Sequence, residues 1–252
     1  MKSYFLLSAL LLSFTVSKAQ NSIEKSNLIK YNLSGLAINY HAVQYERVFS
    51  PKTSFAITAG FSPSTSLPFK ERLIELYGND AQARTAIEST IFDKFTITAE
   101  YRLYLSGKAP QGFYIAPFAR YSKMSMSQQY SFLDSDNTTH NPVIEGTFTG
   151  FGGGVLLGAQ WTLGKTVALD LWLAGPFLGS QKATFNAVND KKITNTTGLE
   201  NDIENTDIPL WNMDATVTNQ TIGGTQRAVI DVNLKGPFVG VRMLGLTVGI
   251  RF

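Results

Sequence analysis

Phe95-Thr96-Ile97-Thr98-Ala99-Glu100-Tyr101-Arg102-Leu103-Tyr104-Leu105 decides the fold. Taken alternately, Phe95, Ile97, Ala99, Tyr101, Leu103 and Leu105 fall on one side, and Thr96, Thr98, Glu100, Arg102 and Tyr104 on the other. A period of two belongs to an extended strand, whose successive side chains point to opposite faces. One face here is apolar throughout; the other carries a carboxylate and a guanidinium. Residues 53–61 divide the same way, with Phe55, Ile57, Ala59 and Phe61 against Ser54, Ala56, Thr58 and Gly60. So do residues 166–174, with Val167, Leu169, Leu171 and Leu173 against Ala168, Asp170, Trp172 and Ala174. The last strand sets Leu244, Leu246, Val248, Ile250 and Phe252 against Gly245, Thr247, Gly249 and Arg251.

Soluble sandwiches and lipocalin-like barrels alternate too, so the composition of each face decides between them and a membrane barrel. The polar face is rich in glycine, small residues and isolated charges, as in Gly150, Gly152, Gly154, Leu156, Gly158 and Gln160. The apolar face is continuous, with Phe151, Gly153, Val155, Leu157, Ala159 and Trp161 opposite that lining. Tyr31, Tyr45, Phe49, Phe113, Tyr121, Trp161 and Phe252 lie near strand ends. A lipid-facing barrel has its apolar side chains outside, aromatic girdles at both interfaces and polar groups within. Small inward residues suit a narrow interior.

The chain has 252 residues, no cysteine and a charged fraction of 16%, against about 25% in ordinary soluble domains. Disulfides, thiolate metal sites, cysteine nucleophiles and acyl-cysteine anchors are excluded. Mean hydropathy is −0.02, the value two opposed faces give when averaged. Lys2, the apolar run Tyr4 to Val16 and the small residues of Ser17-Lys18-Ala19 have the form of a secretory signal peptide over 1–19, leaving 20–252 as one barrel domain. The apolar run is shorter than the roughly 20 residues of a spanning helix. Removing Lys2 and Lys18 lowers the formal net charge from +3 to +1. The pI near 9.0 is therefore no argument for nucleic acid, and basic stripes interleaved with aromatics are absent.

Strands are expected at 28–37, 41–49, 53–62, 92–105, 112–127, 146–163, 166–179 and 237–252, an all-β, eight-stranded antiparallel transmembrane β-barrel. Parity puts Ser50-Pro51-Lys52-Thr53, Ser106 to Gln111 and Leu163-Gly164-Lys165 at one end as short turns. Asn39-Tyr40, 63–91, 128–145 and 180–236 lie at the other, giving the short inner turns and long outer loops of bacterial barrels. Between Pro68 and Phe92 the period of two breaks, and Phe69, Leu73, Leu76 and Tyr77, then Ala81 to Ile91, predict one or two short helices. In 180–236, rich in Asn, Thr and Asp, Gln181 to Val188 and Thr225 to Val232 are read as able to extend the flanking strands as a hairpin above the membrane.

The Ala19-Gln20 junction, Gln44-Tyr45-Glu46-Arg47, the stretch Gly112 to Tyr121 and the ending Gly245 to Phe252 resemble the small outer-membrane β-barrel proteins of Gram-negative bacteria, especially of the Bacteroidota type. The resemblance implies outer-membrane lipids as surroundings. It also implies insertion by the barrel-assembly machinery, which reads a terminal strand such as Val248, Ile250 and Phe252. Glycines at 245 and 249, rather than at 247, depart from the usual spacing.

By parity the inward charges are Lys30, Glu46, Glu100, Arg102, Arg120 and Asp170, with Arg251 at the interface. Neighbouring strands are expected to pair them, Glu100 with Arg120 first, since lone charges in a narrow interior are costly. His41 and His140 are the only histidines, and neither has a Gly-x-Ser-x-Gly context or a regular acid partner. Gly152-Gly153-Gly154 lies inside a strand and is no phosphate loop. The expectation is a monomeric, non-catalytic barrel with no metal or cofactor and a structural, adhesive or small-ligand role, its surface ligand unspecified. The alternatives are a narrow porin-like channel or transport-complex component, an outer-membrane lipid-modifying enzyme, and a soluble periplasmic sandwich.

Overall fold

The computed structural model describes residues 26–79, 81–129, 132–133, 137, 139–189, 191–205 and 212–252; the expected signal peptide lies outside them. Among them ten strands of six residues or more run antiparallel: β1 Asn27–Asn32, β2 His41–Ser50, β3 Thr53–Ser66, β4 Ile91–Tyr104, β5 Gly112–Gln129, β6 Val143–Leu163, β7 Val167–Val188, β8 Asn212–Ile222, β9 Thr225–Pro237 and β10 Gly240–Arg251. Each of β1 to β6 pairs with the next in sequence, and β10 lies between β7 and β1, so β1 to β7 and β10 close an eight-stranded ring. Along β4 the apolar residues named above, Phe95 to Leu103, face outward, while Thr96, Thr98, Glu100, Arg102 and Tyr104 are buried inside. No helix among the described residues is long and apolar enough to cross a membrane.

Both ends of the described chain lie at one rim, where Asn27 and Phe252 exchange backbone hydrogen bonds of 3.0 and 2.8 Å. The turns after β2, β4 and β6 lie at that rim and are short. The turn after β4 is tied to its neighbour by the Ala109 N–H, which donates to the Pro51 carbonyl at 2.7 Å. Just inside, Leu28, Val48 and Ala168 form an apolar floor against which Ala109 packs. The opposite rim carries the long connections, including the two short helices α1 Lys70–Tyr77 and α2 Ala81–Ser89 between β3 and β4.

The structure corrects the expected strands in three places. β1 stops at Asn32, whose carboxamide accepts from the Ser34 hydroxyl at 2.8 Å and the Gly35 N–H at 3.1 Å, starting a 3-10 turn over Ser34–Ile38. Such local side-chain bonding competes with the ladder, and the first long-side connection is correspondingly larger than Asn39-Tyr40. Secondly, β6 and β7 continue well past the ring. Beyond it β9 joins the edge of β7, with Val229 opposite Val188 and Pro237 opposite Ser180, the extension anticipated for 181–188 and 225–232. Unanticipated is β8, which pairs with β9 over its whole length. A third helix, α3 Thr196–Glu204, covers this outer sheet, with Leu199 and Ile203 against Val217, Ala228 and Ile230. Its Glu200 and Glu204 accept from the Val217 and Ala215 amides at 2.6 and 3.0 Å. Those amides lie on the sheet's open edge, which is thereby closed to further strands.

The third correction concerns which face Arg242 occupies. The Met243–Leu244 pair points outward as two consecutive exposed residues, and Leu244 has φ 37°, a left-handed conformation unusual for a branched side chain. On the facing strand, pairing is interrupted at Leu173, and the β6–β7 register shifts between Leu157 and Gly158. Both strands therefore change phase at one level. Below it Gly245, Thr247, Ala168, Asp170 and Trp172 face inward; above it Gly175 and Arg242 do. Strict alternation from the C-terminus would have placed Met243 inside and Arg242 outside.

Candidate functional site

Five of the six inward charges meet at one level of the ring. Lys30, Glu46, Glu100, Arg102 and Asp170 are each 0% exposed, so a water-sized sphere touches none of them. The Lys30 ammonium, from β1, donates to Glu46 Oε2 at 2.6 Å, Asp170 Oδ2 at 2.8 Å and Gln160 Oε1 at 2.8 Å. Arg102 enters from β4. Its Nε and Nη2 grip Glu100 Oε2 at 3.0 and 2.7 Å, while Nη1 donates to Asp170 Oδ2 at 2.7 Å and Gln160 Oε1 at 3.0 Å. Its second Nη2 contact is Gln44 Oε1 at 3.1 Å. A planar fork with several donors can serve acceptors on several strands at once, which a point charge cannot. The remaining carboxylate lone pairs are occupied too: Ser54 and Tyr104 hydroxyls donate to Glu46 Oε1 at 2.5 and 2.7 Å, and the Tyr114 hydroxyl to Asp170 Oδ1 at 2.8 Å.

Arg242 completes the set. Its Nη1 donates to Glu100 Oε1 at 2.8 Å, and its guanidinium lies 4.5 Å from the Trp172 ring centre and 5.0 Å from that of Phe118. Three cations, Lys30, Arg102 and Arg242, thus meet three carboxylates, Glu46, Glu100 and Asp170. Taking ions out of water costs several kcal/mol each and is offset only when geometry and hydrogen bonding are both good. Here the charges balance, and all eight strands of the ring supply them and their neutral partners.

Glycines make the room. A Cβ on Gly158 would fall 2.4 Å from the Tyr114 ring, and one on Gly245 would fall 2.2 Å from Trp172. These two aromatics, with Tyr104, Phe118, Ala116 and Leu156, pack the interior around the charges. Gly158→Ala is expected to push Tyr114 off Asp170 and cost about 1–3 kcal/mol, the usual scale for overpacking. The unfolding midpoint in urea, measured in detergent, checks it.

Arg120 does not join the network. Register places Thr98, not Glu100, opposite Arg120; Arg120 Nη1 donates to the Thr98 hydroxyl at 3.3 Å, with the neutral Tyr40 phenol as a second partner. The expected Glu100–Arg120 contact is therefore replaced by Glu100 with Arg102 and Arg242. Parity missed Arg242 because it was counted from the wrong side of the phase change; the adjacent apolar pair Met243-Leu244, with Arg242 between outward Val241 and Met243, is the sequence signal that marks it. Gln44, Gln160, Tyr104 and Tyr114 were legible as inward positions but not as partners. The histidines lie apart from the network: His41 accepts from or donates to Tyr31 at 2.7 Å on the half-exposed outer side, and buried His140 contacts Asn189 beyond the ring. Among the described residues no group of three metal-ligating side chains occurs.

The sequence over residues 5–208 matches the family described as a protein of unknown function, DUF3575. The chain belongs to the DUF3575 family. In this DUF3575 chain the matched stretch contains Lys30, Glu46, Glu100, Arg102, Gln160 and Asp170, whereas Arg242 and the ring-closing β10 follow it. No curated protein and no solved structure matches the chain.

Proposed function

We propose that this DUF3575 protein is an integral outer-membrane β-barrel, exported by a cleaved signal peptide and inserted by the barrel-assembly machinery. Its lumen is sealed by ion pairs, and it serves the cell surface as a structural or small-ligand-binding element without catalysis. The observation that carries this reading is the inversion of the ring: a buried charge network inside, and Ile29, Val43, Ile57, Phe95, Ile97, Ile115, Phe151 and Val155 exposed outside. Water-soluble monomers rarely expose contiguous apolar surface beyond a few hundred Å², whereas lipid-facing strands require it. The nine residues from Phe95 to Leu103 match the roughly 9–11 that a tilted strand uses to cross. Sealing at the level of Arg102 favours this reading over a channel.

Purified protein is expected to need detergent and to migrate faster on a gel when unheated than when boiled, because the closed ring resists the denaturant. Stable, monomeric protein in detergent-free buffer with no heat-dependent migration would overturn it.

A further inference from the structure

Above the sealed level, toward the long connections, the ring holds a cavity of about 450 Å³, within the range of small-molecule sites. Lys94, Arg120 and Arg242 line it, and no Asp or Glu does. Arg242 already has Glu100. Arg120 has the neutral Thr98 and Tyr40 hydroxyls, and neither it nor Lys94 has an ion-pair partner among the described residues. The two repel one another. Phe177, Phe238 and Trp172 supply an apolar wall, and the Trp172 indole N–H is buried without an acceptor among the described residues. Two cations without ion-pair partners in a concave, partly apolar cup focus a positive field, while the sealed level below excludes counter-ions from that side.

We propose that this cavity binds a small amphiphilic oxyanion, a carboxylate or phosphate head on an apolar body. Arg120 and Lys94 hold the head and the Trp172–Phe177–Phe238 wall takes the body. The site specifies the ligand in the surface role proposed above and rests on that reading for its sealed floor. A planar guanidinium grips either head with two hydrogen bonds, so carboxylate and phosphate share this chemistry.

The test titrates folded protein in neutral detergent with benzoate and with phenyl phosphate, following Trp172 fluorescence with Trp172→Phe as the blank and calorimetry as the second readout. Inorganic phosphate and benzyl alcohol carry the head and the body alone. Saturable binding of one or both aromatic anions is expected, the stronger naming the head group, with at least tenfold weaker binding of either half. Charge-assisted contacts of about 1.5–3 kcal/mol correspond to a loss of about tenfold or more in Arg120→Met, and Lys94→Gln gives the same direction should Arg120→Met fail to fold. Equal binding by both variants, binding of inorganic phosphate as tight as phenyl phosphate, or no binding by folded wild type would overturn the proposal. Failure of the barrel reading would show separately, as loss of heat-modifiable migration or as conductance.

Discussion

Arg102→Met is expected to destabilise the protein by about 3–5 kcal/mol, the cost of breaking a buried ion pair from one side. Among the described residues Arg102 is the only side chain that touches all three carboxylates, Glu46, Glu100 and Asp170. Methionine fills similar space without donors, so Glu100 is left with Arg242 alone and Asp170 with Lys30 and Tyr114. The contrast is Arg120→Met, which surrenders only contacts to the neutral Thr98 and Tyr40 hydroxyls and should cost about 1 kcal/mol. Urea titration of the heat-modifiable form measures both. Equal effects would mean that the charges around Arg102 are not a connected network.

Inserting one alanine between Arg242 and Met243 is expected to be more damaging than truncating Leu244. Met243 and Leu244 are two consecutive outward residues; with that pair held, the added alanine takes the next inward position and residues 240–242 turn over. Val241 would enter the interior, Glu100 would lose Arg242, and Arg242 would face outward. A guanidinium on a lipid-facing strand costs about 2–4 kcal/mol near the midplane, added to the loss of a buried pair. Leu244→Gly keeps the phase change and relieves the φ of 37°, and should leave folding intact. The yield of the fast-migrating form after refolding into detergent separates the two; equal yields would show that the phase change does not place Arg242.

Much of the ring was legible because its physics is local. Phe95 to Leu105 declares its two faces within eleven residues, and the same alternation recurs through β2, β3, β5, β6 and the lower halves of β7 and β10. The helices at 70–77 and 81–89 were legible from a change of period. What escaped depended on register between strands far apart in sequence. Glu100 faces Phe118, not Arg120, across β4 and β5. Arg242 sits inside only because β7 and β10 change phase together. β8 escaped because Asn212, Asp214, Thr216 and Thr218 alternate with apolar residues in a stretch whose composition reads as loop, and because its amides are closed by α3 rather than by another strand.

Reconstitution into a planar lipid bilayer tests the sealed barrel most directly. Wild type and Arg120→Ala are expected to insert and pass no steady current, since Arg120 stands above the seal. Glu100→Ala, which strips Arg102 and Arg242 of a shared carboxylate, is expected to give measurable openings. A steady, voltage-independent current through the wild-type protein would contradict the seal.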